Sequence, residues 1–423
     1  MKFCERCLYP DNHALGITFN KKNVCSGCIV HEEKYQIDWK EKEKKLSTFL
    51  DQYKKKINSN YDCIIPVSGT GDDFFVVETI KKKYEMNPLL VTYNTHFNTS
   101  VGVRNLSQLI TKLDCDHMMS TVGPDTIKEI TRQSFSQNGD IYWHVLAGNY
   151  TFPVQVATKL NIPLIIWGVN GWLDQVGMFS HFDNVEMTKK VRKEHGLRRF
   201  NPSNFLKFSK NLSKKDLQAF TYPSDKQLES SRVRGIYLGN FIFWDSQKQI
   251  EKVIQKYNYE TIPQERTYNT YESIHCWNNA GVHDYIKYLK YGYAKVNDHV
   301  SRDIRLKRLN RLQGLELIDR YIERIPSSFQ KFLDWLEIDE AYFYKTVNKF
   351  RDNRAWRKTK NGSWRRINKI NKTIVSKMKK SNELKKIKER EYVLTDSKEK
   401  ENSEYILLGR TYSDEKNFKA LGK

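Results

Sequence analysis

The sequence predicts an α/β fold built on a parallel sheet, and three observations carry that prediction. Short apolar runs alternate with helix-patterned stretches from Cys63 onward. The first run ends in Ser68-Gly69-Thr70-Gly71-Asp72-Asp73, a phosphate-type turn that enters an apolar helix. Ahead of both stand two cysteine pairs, Cys4-x-x-Cys7 and Cys25-x-x-Cys28.

Taken in chain order, the first 31 residues hold the cysteines, with Pro10, Gly16 and Gly27 breaking any long element. A lysine- and glutamate-rich stretch follows over 32–58, read as a helical connector with an apolar stripe through Trp39, Leu46, Phe49 and Leu50. Apolar runs at Cys63–Val67, Leu89–Tyr93, His117–Thr121 and Pro163–Gly168 predict short buried strands. Helices are predicted between them at Phe74–Tyr84, Val103–Leu113, Asp125–Ser134 and Val154–Leu160. Periodicity does not decide whether Gly235–Trp244 is strand or buried helix. From Val282 to Phe350 the pattern is helical, with packed faces through Tyr285, Tyr288, Leu289 and through Leu315, Leu317, Ile318, Tyr321. The expected division is a cysteine module (1–31), connector (32–58), α/β domain (59–280), helical region (281–350) and basic C-terminal extension (351–423).

Seventeen residues separate Cys7 from Cys25, giving C-x2-C-x17-C-x2-C. This is the spacing of a tetrahedral four-thiolate zinc site, in which each tight turn presents two soft, anionic ligands. Four protein ligands leave no open position, so the zinc is expected to be structural. A redox Cys-x-x-Cys normally needs one pair at a helix start beside a sheet, not two pairs in a turn-rich segment. Cys63, Cys115 and Cys276 are isolated and read as buried apolar residues.

The turn after the first strand can cradle phosphate with backbone N–H groups and the positive end of the helix. Its spacing resembles the S-G-G-x-D-S pattern of PP-loop ATP pyrophosphatases, and it lacks the Gly-Lys-Ser/Thr ending of a Walker loop. Two positions depart from that pattern. Thr70 stands at the second glycine, where a β-branched residue is penalised if the backbone needs positive φ. Asp73 replaces the serine; its carboxylate repels phosphate unless Mg2+ lies between them, although it can cap the helix. Both are expected to weaken ATP handling.

Composition sets the outer limits. With 423 residues, 39% of them hydrophobic, the chain can bury a large core and is expected to be globular. It shows no secretory-signal pattern and no apolar run long enough to cross a bilayer. Together with cysteines spaced for metal rather than disulfides, this predicts a cytoplasmic protein. The net charge of +22 is uneven: residues 351–400 carry 18 Lys and Arg against 6 Asp and Glu. That excess fits either a solvated tail or contact with an acidic partner such as nucleic acid, an anionic membrane or an acidic protein.

Several stretches together resemble the N-acetyl sugar amidotransferase family, PP-loop enzymes of bacterial surface-polysaccharide and nonulosonic-acid biosynthesis. They are the cysteine module, Asp62–Gly69, Leu90–Asn98, Trp167–Gly171, Gly177–Lys190 running on through Arg192 to Arg198, and His283–Tyr293. The resemblance covers about residues 1–350 and leaves the basic extension outside. It implies a PP-loop sheet of the adenine nucleotide alpha hydrolase-like type, with an N-terminal zinc module and a helical C-terminal region. It also implies ATP, Mg2+ and Zn2+ as cofactors. The implied reaction adenylates the N-acetyl oxygen of a sugar, usually nucleotide-linked, and lets ammonia displace AMP to leave an acetamidino group. The setting would be lipopolysaccharide O-antigen or related surface-glycan biosynthesis. No glutaminase segment is visible, so ammonia would come from a separate glutaminase subunit working with a cyclase-like subunit.

For residues, the resemblance assigns pyrophosphate to Ser68, Gly69, Thr70, Gly71, Asp72 and Asp73, with Ser68 and Asp72 nearest the chemistry and Asp72 a Mg2+ partner. Thr92, Tyr93, Asn94, Gly168 and Asn170 follow strands at the sheet's carboxyl edge, where nucleotides bind. Asp174, Glu186, Lys190, Arg192 and His195 mix charges suited to a sugar acid or sugar nucleotide. Two rivals share these features. A tRNA-modifying PP-loop enzyme fits the zinc module and the positive charge, with Trp356 and Trp364 among arginines able to stack bases. A degenerate PP-loop scaffold without catalysis fits Thr70 and Asp73.

Overall fold

The computed structural model describes residues 1–54 and 60–367. The end of the expected connector and most of the basic extension, residues 368–423, lie outside the described residues.

Five parallel strands form the sheet: β1 (Cys63–Pro66), β2 (Pro88–Tyr93), β3 (His117–Ser120), β4 (Leu164–Trp167) and β5 (Arg234–Tyr237), in the order β3-β2-β1-β4-β5. The register sets Ile64 of β1 beside Leu89 on one side and Ile165 on the other. Alternation along β1 sends Cys63 and Ile65 into one core and Ile64 into another. Because both faces are covered, the strands read as continuous apolar runs. The stretch left open by periodicity resolves into β5 and a 3-10 turn at Leu238–Asn240.

The helices are α1 (Ser26–Glu33), α2 (Trp39–Lys54), α3 (Gly71–Glu78), α4 (Ser100–Leu113), α5 (Pro124–Asn138) and α6 (Trp143–Leu160), followed by shorter ones. The connector is thus two helices, and Cys28 already sits on the first. α3 continues as a π-helical turn over Thr79–Lys83, which completes the span predicted to Tyr84. α6 starts eleven residues earlier than predicted and runs through Pro153. α3, α4 and the Ser246–Tyr257 helix cover one face of the sheet, and α6 covers the other.

Helices at Val282–Tyr291, Lys295–Arg305, Arg311–Tyr321, Ser328–Leu336 and Glu340–Asn348 make the C-terminal region. They share one apolar cluster with α5 and α6, from Ile127 and Trp143 through Leu317 and Phe332 to Val347. A hairpin of β6 (Trp356–Lys358) and β7 (Trp364–Arg366) closes onto it. Trp356 is buried, packs its edge on Tyr288 and lies under the Arg351 guanidinium. The expected start of a separate extension at 351 therefore falls inside packed structure: the charge of this stretch hid one buried tryptophan. Among the described residues, no helix is long and apolar enough to cross a membrane.

Candidate active site

The phosphate-type turn lies where β1 ends, at the point where the chain leaves for β2 on one side and β4 on the other. Ligands of open α/β sheets bind at such switch points. Gly69 takes φ +82°, and a Cβ there would collide with Leu106 N and Gly102 O at 2.8 and 2.9 Å. Thr70 has φ −85° and ψ 159°, ordinary extended backbone, and its hydroxyl caps α3 by accepting from Asp73 N–H. The expected backbone penalty at Thr70 is therefore absent. The positive φ belongs to the first glycine position, not the second.

Asp73 behaves differently from a serine, and more specifically than simple repulsion. Its Oδ2 accepts from Ser68 N–H at 2.7 Å, Thr70 N–H at 2.8 Å and Ser68 Oγ at 3.3 Å. The carboxylate sits on the amides that would cradle a phosphate oxygen, closing a reciprocal capping box with Thr70. Burial pushes its carboxyl up, against the hydrogen bonds from Ser68 and Thr70. Tyr259, buried near the turn, donates its hydroxyl to Tyr271 O at 3.0 Å.

Asp72 turns the other way. Ser246 Oγ donates to its Oδ2 at 3.2 Å, while Oδ1 is buried without a partner. Burial, with Glu272 nearby, pushes Asp72 up to about 8. An orphaned carboxylate oxygen beside a second acid suits a hard divalent cation, which would draw that value back down.

Glu272 and Arg302, whose charges reach Asp72, line a charged hollow of about 270 Å3, although Asp72 itself is not part of its wall. One stripe of the Lys295–Arg305 helix lines it: Lys295, Asp298, His299, Arg302 and Arg305, at helical spacing. Glu272 forms a two-armed ion pair with Arg302, which with His299 holds its carboxyl well below the usual range despite burial. Asp298 pairs with Lys287 at 2.6 Å and Asp284 with buried Arg266 at 2.7 Å. Lys295 Nζ reaches Asn279 Oδ1 at 3.1 Å and has no carboxylate within ion-pair distance among the described residues; burial lowers its pKa. A wider hollow of about 530 Å3 adjoins, sharing Gln175, His283, Lys287 and Asp298. Its wall adds Trp143, Trp172, His195, Arg198, Tyr291 and Tyr293.

Of the residues expected to bind a sugar, Asp174 and His195 line these hollows. Asp174 is held by Lys34 Nζ at 2.6 Å, and the His195 ring lies 5.8 Å from Trp172. The other three point elsewhere. Glu186 pairs with Arg234, and Lys190 is exposed. Arg192 is buried, donating to Thr151 Oγ1 and Phe220 O beneath Tyr222. At the strand ends, Thr92 donates to Val67 O, Tyr93 meets His144, and Asn94 spans Thr121, His96 and Asn98. All three are buried and tie the sheet edge together. Gly168 lies against Trp244, and Asn170 caps the Gly171–Asp174 turn with its Nδ2 left unpartnered. Glu272, Lys287, Lys295, His299, Arg302 and Trp172 were not singled out from the sequence. The only signal was a charged stripe at helical spacing, which ordinarily marks a solvated face.

The cysteines converge as expected. All four sulfurs lie within 4.8 Å of one another and are buried. Cys7–Cys25 and Cys4–Cys28 are 3.5 and 3.9 Å apart. A tetrahedron with Zn–S bonds of about 2.3 Å has sulfur–sulfur edges of about 3.8 Å, so the cage fits zinc. Cys25 N–H and Arg6 N–H point at Cys4 Sγ from 3.3 and 3.4 Å, as amides do around metal-bound thiolates.

Among known proteins, an uncharacterized protein of Methanocaldococcus jannaschii is 23% identical over 116 residues, 27% of this chain and 41% of that one. The chain thus spans about two fifths of the length of the curated relative it matches. NMN synthetase from Francisella tularensis aligns at 16% identity over 52% of this chain and 87% of its own, with a TM-score of 0.28. NH3-dependent NAD synthetase from Campylobacter jejuni aligns at 13% identity over 51% and 95%, also at 0.28. At that TM-score neither carries an argument about this chain. The match that reaches the site is to a family model. Residues 265–371, which include Glu272, the charged helix and the Trp356 hairpin, are similar to the family described as LPS biosynthesis protein WbpG-like, C-terminal domain.

Proposed function

We propose that the chain is an ATP-using enzyme of lipopolysaccharide biosynthesis, and specifically an amidotransferase that converts the acetamido group of a nucleotide-linked sugar to an acetamidino group. The observation that carries the reading is the phosphate-type turn at the sheet's switch point, where Asp72 keeps an unpartnered oxygen and feels Glu272 and Arg302, two residues of the WbpG-like segment that line the charged hollow. In this reaction the acetamido oxygen attacks the α-phosphorus of ATP and pyrophosphate leaves. Ammonia then adds to the activated carbon, AMP departs with that oxygen, and a proton is lost. Activation is needed because an amide oxygen is a poor leaving group until it carries a phosphoryl ester.

Each residue has a defined task. Ser68 and Thr70 amides hold the pyrophosphate end once Asp73 has swung away. Asp72, with Glu272 nearby, would hold Mg2+, which would neutralise charge on the phosphates. Lys295 and Arg302 offset the negative charge of the departing groups. Trp172 offers an apolar face to a sugar ring, while Asp174 and His195 supply polar contacts. Ammonia is supplied by a separate glutaminase subunit and a cyclase-like subunit.

The test incubates purified protein with Mg·ATP, ammonium and a panel of nucleotide-linked N-acetyl sugars. AMP should appear only when sugar and ammonium are both present, with product showing replacement of one oxygen by NH. One observation favours a second reading, a scaffold without catalysis: Asp73 fills the cradle. No AMP with any sugar, together with no ATP binding by a folded protein, would select it.

A further inference from the structure

We propose that Arg305 is a positioning residue that ties metal occupancy of the cysteine cluster to the wall of the charged hollow. The inference needs the metal and the hollow, but not the sugar chemistry. Arg305 ends the helix whose stripe lines the hollow. One arm of its guanidinium, Nη2, lies 3.6 Å from both Cys7 Sγ and Cys25 Sγ. The other arm, Nη1, donates to Asp174 O at 3.0 Å and Gln175 O at 2.8 Å. Both of those residues line the hollow. The planar fork of arginine can address two sites at once, which the single ammonium of lysine cannot.

Several independent features make room for this bridge. A Cβ on Gly27 would fall on the Arg305 guanidinium and on Gln175 O, so only glycine admits the side chain. Gly177 has φ +61°, and a Cβ there would strike Ser26 O at 2.5 Å. Ser26 Oγ donates to Val176 O at 2.5 Å, and Val176 is buried among the four cysteines. Lys34, which follows α1, holds the Asp174 carboxylate. The 174–177 segment is therefore fastened to the cysteine module by its carbonyls, by an apolar side chain and by an ion pair.

Electrostatics gives the bridge its direction. Four thiolates around Zn2+ sum to two negative charges, and a buried anion of that size needs a cation in contact. Arg305 is the cation that touches the sulfurs. Taking the metal away removes the anion it faces and leaves a buried guanidinium on the two carbonyls and the Tyr9 ring. The 174–177 wall then loses one of its anchors, so metal occupancy tightens the wall of the hollow.

Two readouts, neither of them activity, test this on the full chain. One is the thiolate-to-metal charge-transfer band of Co2+-loaded protein, which hydrogen bonds to sulfur move to higher energy. The other is amide hydrogen exchange over 171–178, where Gln175 N–H donates to Gly171 O and Gly177 N–H to Leu173 O. In the native protein, chelation should speed exchange there roughly tenfold or more, the loss of about one hydrogen bond from a charged donor. Metal-loaded Arg305→Met should show that faster exchange with its metal retained, and a band shifted to lower energy. Arg305→Lys should recover part of the band position but not the protection. If Arg305→Met does not fold, Gly27→Ala, which displaces the same guanidinium, should reproduce both changes. A native-like band and native-like exchange in these variants would overturn the proposal. So would exchange at 171–178 that ignores chelation in the native protein.

Discussion

Replacing Asp73 by serine should tighten Mg·ATP binding, and the structure sets the size of the effect. The native carboxylate accepts two short bonds from Ser68 and Thr70 amides, at 2.7 and 2.8 Å. An incoming phosphate recovers those amides, so the lasting cost lies in stripping a carboxylate of its partners and holding it near a second anion. Losing one hydrogen bond to a charged group costs about 1.5–3 kcal/mol. Two unit charges about 4 Å apart at an effective dielectric of about 20 repel by about 4 kcal/mol, an upper bound for a side chain free to turn away. Binding of Mg·ATP to Asp73→Ser should therefore be roughly tenfold to a hundredfold tighter by calorimetry. Asp73→Asn should lie between the two. Because burial raises the Asp73 carboxyl, lower pH protonates it and loosens its hold on the amides. The gap between native and Asp73→Ser should accordingly narrow as pH falls. Thr70→Gly should leave ATP binding unchanged, since Thr70 already has φ −85°. Native protein that binds as tightly as Asp73→Ser, or a serine variant that binds more weakly, would refute the occupied-cradle reasoning.

The remaining predictions concern the rest of the frame. Metal analysis should give close to one zinc per chain, lost in a Cys4→Ser, Cys25→Ser double variant. Asp72 is raised to about 8 in the folded state, so the stability it supports is full below about pH 4 and is lost as pH rises toward 8. Thermal melts from pH 5 to pH 9 should show Asp72→Asn gaining on the native protein, by at most roughly 1.4 kcal/mol per pH unit. Trp356→Ala should cost about 3–5 kcal/mol in urea unfolding, because the ring is buried against Tyr288. Truncation after Phe350, which removes Ala355 and Trp356 from the core, should also destabilise the chain.

What the sequence made legible was what local pattern controls. Apolar runs flanked by turns located β1 to β4 within a residue or so, and cysteine spacing located a cage that closes in space. The predicted helix began at Val154, one residue after Pro153. The helix tolerates that residue and begins at Trp143, with packing of Val145 and Ala147 overriding the missing N–H. The loop sequence showed that Asp73 was unusual but not where its carboxylate goes, because that depends on a side-chain rotamer meeting two amides. Charge mixture alone grouped Glu186, Lys190 and Arg192 with His195, whereas tertiary packing sends Arg192 inward to Phe220 O and Lys190 to solvent. Nothing in local pattern distinguishes the inward stripe of Lys295, Asp298, His299 and Arg302 from a solvated face. Only the placement of that helix against the cysteine module and the Asp174–Gln175 turn makes it the wall of a hollow.

The measurement that goes most directly to the proposed chemistry follows one oxygen atom. A nucleotide-linked N-acetyl sugar that this protein accepts is labelled with 18O in its acetamido group and incubated with Mg·ATP and ammonium. Adenylation of that oxygen followed by ammonia attack predicts AMP carrying one 18O in its phosphate and a product carrying none. Label retained in the sugar, or found in pyrophosphate or orthophosphate in place of AMP, would contradict the account.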